Sequence, residues 1–339
     1  MSKDNPQAAP ADARVLERLG SARERIVSEL SKSIVGQRRT IEELLVSIFA
    51  RGHALLVGVP GLAKTLLVSS LARCLSLKFH RIQFTPDLMP SDITGTEIIQ
   101  DDPATGQRRF KFLQGPIFAN IILADEINRT PPKTQAALLE AMQERKVSIG
   151  GVDYRLTEPF FVLATENPIE QEGTYPLPEA QLDRFLLNIH VGYPSADEEL
   201  EIMRLATGPS PAEPEAVLSG EEMIALQDLV RRIAVAEHVF LYAREIVRMS
   251  RPGDAKAPEF IKRYISWGAG PRASLGLVLA GKARAALYGR PCVTVDDVNA
   301  VALPVLRHRI IPNFEAQSEG FTPDDIVARL MEAQAKPVA

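Results

Sequence analysis

Apolar residues recur at intervals of three or four in the first part of the chain. This spacing places them on one side of a helix, so helices are predicted over 15–33 and 38–50. The residues that follow at 54–57 are all apolar, as in a short strand buried on both faces. The first three elements of the fold are therefore predicted to be two helices and a buried strand.

Apolar runs and helical patterns continue to alternate as far as about residue 194. Strands that alternate with helices favour a parallel sheet with helices on both faces. The further elements predicted in this part of the chain are strands at 81–84, 121–124, 160–164 and 186–191 and helices at 64–77 and 132–145.

Two segments interrupt this alternation with pairs of strand-like runs. The first, 95–112, surrounds a polar turn at 101–106, and the second, 147–156, is divided by Gly150 and Gly151. A short turn between two extended runs is typical of a β-hairpin. Each segment is therefore predicted to be a hairpin inserted among the elements of the sheet.

Strand-like patterns end near residue 194, and the chain is helical in pattern from there to about 331, with Pro and Gly between the helices. The N-terminal residues are polar and rich in Ala and Pro, which predicts a flexible tail. The organisation predicted from these patterns is a tail over 1–13, an α/β domain over 14–194 and a helical domain over 195–334.

Composition and charge narrow the class of protein. The 339 residues are 45% hydrophobic and 24% charged, as in a folded globular protein of two domains. The formal net charge of −4 gives no global excess of positive charge for binding a nucleic-acid backbone. Cys74 and Cys292 are far apart and are expected to be unpaired thiols in a reducing, cytoplasmic compartment. No apolar run approaches the roughly 18 residues that span a membrane, and the polar N-terminus lacks the features of a signal peptide.

A phosphate-binding loop is predicted between the strand at 54–57 and the helix at 64–77. Glycines allow successive backbone N–H groups to point inward, and the N-terminus of the following helix adds a positive dipole end. Lys64 would reach the β- and γ-phosphates of a nucleotide, and the Thr65 hydroxyl would bind Mg²⁺. The residues predicted to contact the nucleotide here are Gly58, Val59, Pro60, Gly61, Leu62, Ala63, Lys64, Thr65 and Leu66.

Ala63 departs from the usual pattern, which has glycine immediately before the lysine. If the backbone at this position requires a positive φ angle, alanine costs of the order of 1 kcal/mol. If the position is already helical, alanine is harmless and is the better helix former. The sequence leaves both alternatives open.

The apolar strand predicted at 121–124 is followed by two adjacent carboxylates, Asp125 and Glu126. At the carboxyl end of a buried strand, Asp125 is placed to hold Mg²⁺ through water, and Glu126 to orient the attacking water or accept its proton. Together with the loop at 58–65, these residues predict hydrolysis of ATP, with ATP/ADP and Mg²⁺ as ligands. Without the phosphate loop, the alternative interpretation of Asp125 and Glu126 is an ordinary acidic turn at the end of a strand.

Five further stretches, at 84–92, 125–129, 164–168, 182–185 and 270–273, complete a family pattern. With them the chain resembles an AAA+ ATPase of the MoxR family from 15 to 331. The resemblance implies a P-loop AAA+ domain with a parallel five-stranded sheet in the order 5-1-4-3-2, β-hairpin insertions and a C-terminal all-helical lid domain. It also implies that Val35 and Gly36 line the adenine pocket.

The resemblance implies roles for residues outside the phosphate loop. Asn167 resembles sensor 1, which contacts the γ-phosphate or the attacking water; taken alone, Asn167 before Pro168 is a plain turn at the end of a strand. Arg184 resembles the arginine finger, which enters the site of a neighbouring subunit. The alternative for Arg184 is a surface arginine paired with Asp183 or Glu179.

Arg272 resembles sensor 2, which folds back from the lid onto the nucleotide; the alternative is a solvated arginine at the start of a helix. Arg129 is a further candidate to face a neighbouring site. The two hairpins resemble the helix-2 insert and the pre-sensor-1 insert, which are usually aimed at a central pore or a client. For Phe110 and Phe112 of the first hairpin, burial on one face is the favoured interpretation.

The resemblance further implies a homo-hexameric ring that remodels or activates a protein client, with a partner that contains a von Willebrand factor A domain. The finger favours the ring, because Arg184 has no site to serve in an isolated subunit. Two alternatives remain open: a nucleic-acid translocase, which the net charge of −4 disfavours, and a nucleotide-switched scaffold that hydrolyses slowly. A small-molecule kinase would give the helical lid and Arg272 no clear role.

Overall fold

The computed structural model describes residues 10–101, 108–170, 172–209 and 212–335. Its α-helices are α1 (Pro10–Leu30), α2 (Arg38–Phe49), α3 (Lys64–Cys74), α4 (Pro90–Thr94), α5 (Pro132–Glu144), α6 (Glu179–Leu182), α7 (Ala196–Thr207), α8 (Gly220–Arg232), α9 (Glu237–Met249), α10 (Glu259–Tyr264), α11 (Pro271–Leu287), α12 (Val295–Leu306), α13 (Phe314–Ser318) and α14 (Pro323–Ala335). Its strands are β1 (Ala54–Val57), β2 (Phe79–Gln83), β3 (Gly95–Asp101), β4 (Arg108–Gln114), β5 (Ile121–Asp125), β6 (Lys146–Ile149), β7 (Val152–Arg155), β8 (Phe161–Glu166), β9 (Leu187–His190), β10 (Ala234–Val235), β11 (Ile265–Trp267), β12 (Cys292–Val293) and β13 (Ile311–Pro312). A 3-10 helix, Ile127–Arg129, follows β5.

Five strands form one parallel sheet in the order β2-β5-β8-β1-β9. Counted along the chain among these five, the order is 5-1-4-3-2, so the predicted topology is confirmed. Strand β5 is buried throughout, because a parallel strand covered by helices on both faces meets no solvent. All five strands run the same way. Their carboxyl ends therefore share one edge of the sheet, where ligands of open α/β sheets bind.

Helices cover both faces of this sheet. On one face, Leu123 and Leu163 belong to a large apolar core shared with α1, α2, α3 and the helices that follow β9. On the other face, Ile122 and Val162 belong to a smaller core beneath α5. Neighbours in sequence enter different cores because successive strand residues point to opposite faces.

Both predicted hairpins are present, as the antiparallel pairs β3–β4 and β6–β7. Gly150 and Gly151, which connect β6 to β7, have φ angles of 58° and 81°, as in a type I′ hairpin turn. The turn predicted at 101–106 lies outside the described residues except for Asp101.

The two hairpins pack against each other through the rings of Phe112 and Tyr154, which lie 4.1 Å apart. Burial had been predicted for both Phe110 and Phe112. It is wrong for Phe110, whose side chain is 73% exposed. Phe110 lies two residues nearer the tip of its hairpin, away from Tyr154.

The chain after β9 is mainly helical, as predicted, but it also contains two small ladders. Strand β10 pairs in parallel with β12, and β11 pairs antiparallel with β13. An all-helical lid is therefore corrected to a helical lid with two short ladders. The sequence did not indicate them, because two or three residues are too few to reveal a period of two.

The predicted division between 194 and 195 falls in the connection from β9 to α7 and stays a prediction. Helix α1 contacts α3 on one side and α8 and α11 of the lid on another.

The flexible tail was predicted over 1–13; α1 begins at Pro10, and residues 1–9 lie outside the described part of the chain. In the described ranges, no helix is both long and apolar enough to cross a membrane.

Candidate nucleotide site

The predicted phosphate loop connects β1 to α3 at the carboxyl edge of the sheet. Gly58 has no room for a side chain, because a Cβ there would lie 2.7 Å from the Val191 carbonyl oxygen. Gly61, with φ of 85°, bends the loop before α3 begins. The backbone N–H groups of a glycine-containing loop that ends at a helix N-terminus suit phosphate oxygens. The other residues predicted here lie in the same loop or the first turn of α3: Val59, Pro60, Leu62, Thr65 and Leu66.

Lys64 begins α3, and its Nζ donates a hydrogen bond to the Gly58 carbonyl oxygen across the loop. Burial lowers the pKa of Lys64, whereas the charges of Asp125 and Glu126 raise it. The two carboxylates are thus near enough to the ammonium group to stabilise its charge. The structure therefore brings the loop and the acidic end of β5 together.

Ala63 adopts the left-handed conformation, with φ of 53° and ψ of 23°. The position therefore requires a positive φ angle, and the alternative in which alanine is harmless is wrong. In this region the Cβ of an L-residue approaches the following carbonyl oxygen, which costs about 1–2 kcal/mol.

Asp125 ends β5 and is 8% exposed. Its Oδ1 accepts a hydrogen bond of 2.6 Å from the Thr165 hydroxyl on β8. Its Oδ2 accepts from Arg81 on β2, from Nε at 2.9 Å and from Nη2 at 2.7 Å. Side chains from both neighbouring strands thus fix the orientation of this carboxylate.

Glu126 follows immediately in a left-handed conformation, with φ of 57°. Its backbone N–H donates to the Thr165 hydroxyl at 2.8 Å, and its Oε2 accepts from Gln83 Nε2 at 2.8 Å. Arg129, considered above for a neighbouring site, has its Nε 3.1 Å from the same Oε2 and also pairs with Glu170. The Glu126 carboxylate is therefore held at the edge of the sheet by contacts within its own chain.

Asn167 follows β8, the strand that lies between β5 and β1, so it stands between the acidic pair and the phosphate loop. Its Nδ2 donates to Glu170 Oε2 at 3.3 Å, and its Oδ1 accepts from the Ile169 N–H at 3.3 Å. The preceding residue, Glu166, has its pKa raised to about 7 by burial. The structure thus places Asn167 with Lys64 and Glu126, while its role in catalysis stays a prediction.

The segment predicted to line the adenine pocket is joined to the phosphate loop. Gly36 has a φ of 66°, and the next residue, Gln37, donates from Nε2 to the Leu62 carbonyl oxygen at 3.1 Å. The Glu198 carboxylate lies directly over Gly36, because a Cβ there would be 2.2 Å from Oε1. Val35 is half-buried beside it.

Arg184 and Arg272 lie at the opposite edge of the sheet. Arg184 precedes β9, and its Nη1 donates to the Leu139 carbonyl oxygen at 2.8 Å. Nη1 of Arg272, near the start of α11, is 3.5 Å from Asp183 Oδ2. Strand β1 has four residues, so about 13 Å of strand separates this edge from the phosphate loop. The structure brings neither arginine to the phosphate loop of its own chain. For Arg184 this agrees with a finger that serves a neighbouring subunit, whereas the expectation that Arg272 folds back onto the nucleotide of its own chain is corrected.

The two arginines share a cavity of about 290 Å³ that also contacts Gly52 and His53, just before β1. Burial lowers the pKa of His53 to about 4, so its ring is neutral near pH 7. A cluster of guanidinium groups with one carboxylate gives the cavity a positive field suited to phosphate groups. The charged residues that line it are Arg51, Arg145, Arg184, Arg272, Arg309 and Asp183.

Thr65 and Asp125 lie at the same edge as Lys64 and supply the oxygen atoms that Mg²⁺ prefers. Asp125 already accepts two hydrogen bonds from Arg81, so a metal ion would share this carboxylate with a guanidinium group. Thr65 and Asp125 therefore fit a Mg²⁺ ion that takes further ligands from the phosphate groups of a nucleotide.

Three residues of this site, Arg81, Gln83 and Thr165, were not predicted. Arg81 and Gln83 occupy alternate positions of β2 and thus point the same way, and Gln83 is paired in register with Asp125. The alternation of these polar residues in a short strand is the sequence pattern that could have indicated their place in the site. Thr165 lies two residues before Asn167, in a stretch that had drawn attention only for Asn167.

Comparisons with known proteins agree with this arrangement. Residues 53–187 match the family described as "ATPase family associated with various cellular activities (AAA)", and residues 259–330 match an AAA lid domain. Chaperone MoxR1 of Mycobacterium tuberculosis is 43% identical over 98% of this chain and 86% of its own length. Protein MoxR of Paracoccus denitrificans is 33% identical over 87% of this chain and 90% of its own length.

A similarity of the same extent is found among solved structures. A crystal structure of a Cytophaga hutchinsonii protein has a TM-score of 0.85 and 42% sequence identity, and the match covers 94% of this chain and 96% of that one. The similarity therefore extends over nearly the whole of both chains.

Proposed function

Because the chain belongs to the MoxR family of AAA+ ATPases, we propose that it hydrolyses ATP to ADP and phosphate and uses the reaction to remodel a protein client. The observation that carries the proposal is the position of Glu126. Gln83 and Thr165 hold it at the carboxyl edge of the sheet, beside Asp125 and near Lys64.

Each group at this edge has a separate task. The backbone of the phosphate loop and Lys64 bind the phosphates, and Glu126 orients the attacking water or accepts its proton. Asn167 assists in placing that water. Thr65 and Asp125 would hold Mg²⁺, which when bound neutralises charge on the phosphate oxygens.

The remaining part of the site comes from a second subunit. Arg184 and Arg272 lie at the amino edge of the sheet, where they have no phosphate of their own chain within reach. In a homo-hexameric ring with head-to-tail contacts, this edge of one subunit faces the carboxyl edge of the next. Arg184 then stabilises charge as phosphate is transferred, and Arg272 contacts the same nucleotide from the lid.

The client is a protein. The Mycobacterium tuberculosis relative is named a chaperone, and the hairpins of this chain present exposed apolar side chains such as Ile99 and Phe110. Exposed apolar groups of this kind suit contact with another protein. A partner that contains a von Willebrand factor A domain is part of the proposal.

The first test is Glu126→Gln, which keeps the shape of the side chain and removes its basicity. We expect turnover of ATP to fall by about 100-fold or more while ATP affinity is retained. Steady-state phosphate release and binding of a fluorescent ATP analogue measure the two quantities. Glu140→Gln, at an exposed position of α5, is the control. Unchanged turnover of Glu126→Gln would mean that the assigned base is wrong.

The shared site is tested by mixing subunits. Arg184→Ala subunits keep an intact phosphate loop, and Lys64→Ala subunits keep an intact finger. In a random equal mixture about a quarter of the subunits would carry a complete site, so about a quarter of wild-type turnover should return. Arg272→Ala should behave in the same way. No recovery at any ratio would contradict a site shared between neighbours.

A further inference from the structure

The end of α12 in the lid binds the segment that carries Arg184. Arg309, three residues beyond the end of that helix, has a side chain that is 4% exposed. Its Nε donates to Asp183 Oδ1 at 2.7 Å, and its Nη2 donates to the Phe185 carbonyl oxygen at 2.7 Å. Its guanidinium group therefore holds the residues on both sides of Arg184.

Two further hydrogen bonds complete this contact. Nη2 of Arg309 also donates to the Asp183 carbonyl oxygen, and Nη1 donates to the Leu186 carbonyl oxygen, both at 3.2 Å. A guanidinium group presents its five donors in a fixed planar fork, so these bonds define the path of the backbone around Arg184. Few other side chains could hold three carbonyl oxygens and a carboxylate together.

Asp183 links this contact to the second arginine of the cavity. Its Oδ1 accepts from Arg309, and its Oδ2 lies 3.5 Å from Nη1 of Arg272. One carboxylate thus connects α11, the end of α12 and the segment before β9. Arg184 and Arg272 are held at the same cavity because Asp183 stands between the two lid arginines.

His308 strengthens the same attachment from inside the core. Its Nε2 lies 3.1 Å from the Phe185 carbonyl oxygen. Burial lowers the pKa of His308 well below its usual value, so the ring is neutral and donates through Nε2–H. The Phe185 carbonyl oxygen therefore accepts from both His308 and Arg309.

A buried arginine is a costly way to attach a lid to a sheet. Removal of the Arg309 charge from water offsets much of its attraction to the partly exposed Asp183, and apolar side chains of similar volume often stabilise a fold at least as well. An ion pair with this many hydrogen bonds instead fixes the positions of the groups that it joins. Here those groups are the backbone and side-chain atoms on both sides of Arg184.

We propose that Arg309 and Asp183 position the arginine finger. They fix the backbone on both sides of Arg184, place Arg272 beside it, and make the finger move together with α12 of the lid. The lid of one subunit is thereby coupled to hydrolysis in the next. This inference rests on the shared site proposed above.

Arg307 provides a matched control. It lies at the same end of α12 and is equally buried, with 5% of its side chain exposed. It contacts Asp324 at 3.0 Å and the Asn188 carbonyl oxygen at 3.3 Å, and thus binds β9 beyond the finger segment. Replacement of Arg307 disturbs the docking of the lid without touching the residues around Arg184.

The experiment compares Arg309→Lys, which keeps the positive charge and loses the fork, with Arg307→Lys. Asp183→Asn is a second positioning variant in case Arg309→Lys folds poorly. Each full-length variant is assayed alone and in mixtures with Lys64→Ala subunits, and Arg184→Ala is mixed in parallel. ATP affinity is measured with a fluorescent ATP analogue, and turnover by phosphate release.

We expect Arg309→Lys and Asp183→Asn to bind ATP within about twofold of wild type and to lose at least about tenfold in turnover. Mixing with Lys64→Ala subunits, which supply intact fingers, should restore the same fraction of activity as it does for Arg184→Ala. Arg307→Lys should gain no activity on mixing.

Two results would overturn the inference while leaving the shared site intact. In the first, the Arg184→Ala mixture recovers but the Arg309→Lys and Asp183→Asn mixtures do not. In the second, Arg307→Lys recovers as fully as Arg309→Lys, so that the contact serves only to dock the lid. If the Arg184→Ala mixture also fails, the proposed shared site fails, and the inference fails with it.

Discussion

Ala63 in the phosphate loop and Glu126 just after β5 hold a left-handed backbone conformation although neither is glycine. Such positions cost of the order of 1–3 kcal/mol each and persist where the surrounding structure over-determines them. At Glu126, the hydrogen bonds from Gln83 and to Thr165 supply that restraint. At Ala63, the cost follows from the left-handed angle of the phosphate loop just before Lys64.

Ala63→Gly should raise the free energy of unfolding by about 0.5–1 kcal/mol, because relief of the left-handed strain exceeds the added entropy of glycine in the unfolded chain. Urea denaturation measures the change. The control is Ala136→Gly, an exposed position within α5, which should lower the free energy of unfolding by about 1 kcal/mol. Equal destabilisation by both changes would contradict the strain at Ala63.

At the scale of elements, the site is assembled from neighbouring strands. Strand β2 supplies Arg81 and Gln83, β5 supplies Asp125, and β8 supplies Thr165. The Thr165 hydroxyl is the centre of this arrangement, since it donates to Asp125 Oδ1 and accepts from the N–H of Glu126. One hydroxyl thus orients both acidic residues.

Thr165→Val preserves the volume of the side chain and removes both hydrogen bonds. We expect turnover of ATP to fall by about tenfold, and the free energy of unfolding to fall by about 1–3 kcal/mol. Phosphate release and urea denaturation measure these effects. Thr134→Val is the matched control, because that buried hydroxyl donates only to the Leu88 carbonyl oxygen, away from the site. It should lose stability but keep its turnover; a similar loss of turnover in both variants would contradict the special position of Thr165.

At the scale of the whole molecule, the sheet separates two edges that carry different candidate site residues. The carboxyl edge carries Lys64 and Glu126, and the amino edge carries Arg184 and Arg272. The buried strands between them also hold Glu166, whose carboxyl group has a pKa of about 7 in the folded chain. This titration affects the stability of the entire fold.

Glu166 binds a proton more tightly in the folded chain than in the unfolded chain, where its pKa is close to 4.5. Between these two values the folded state carries the extra proton, so the contribution of Glu166 to stability falls as pH rises and is constant above about 7. The stability gained by Glu166→Gln relative to wild type should grow across this window by up to about 3 kcal/mol.

Urea denaturation at several pH values between 4 and 8 measures this difference. The control is Glu170→Gln, because the hydrogen bond from Arg129 lowers the pKa of Glu170. The contribution of Glu170 is fully present above its ordinary pKa of 4.5 and is lost only as pH falls below that value, so the stability of its variant relative to wild type should stay nearly constant over most of this range. A difference for Glu166→Gln that does not vary with pH would contradict the raised pKa.

The sequence by itself determined the elements of this protein and the centre of its candidate site. The apolar run at 54–57, the loop that follows it, and the acidic pair Asp125 and Glu126 are local patterns, and each could be recognised within a few residues. The parallel sheet followed from the alternation of strands with helices, and its order from the family resemblance. Phosphate loops and strand ends are predictable because their chemistry and their conformation depend on neighbours in the chain.

Only the tertiary structure decided which distant side chains meet. Gln83 reaches Glu126 because the register of β2 on β5 sets it opposite Asp125, and the Thr165 hydroxyl on the neighbouring strand reaches the Asp125 carboxylate and the backbone N–H of Glu126. Packing of α12 on β9, and of α11 on α12 and α2, brings Arg272 to Asp183 at the amino edge, away from the phosphate loop. These contacts depend on strand register and helix packing between segments far apart in sequence, which local patterns do not encode.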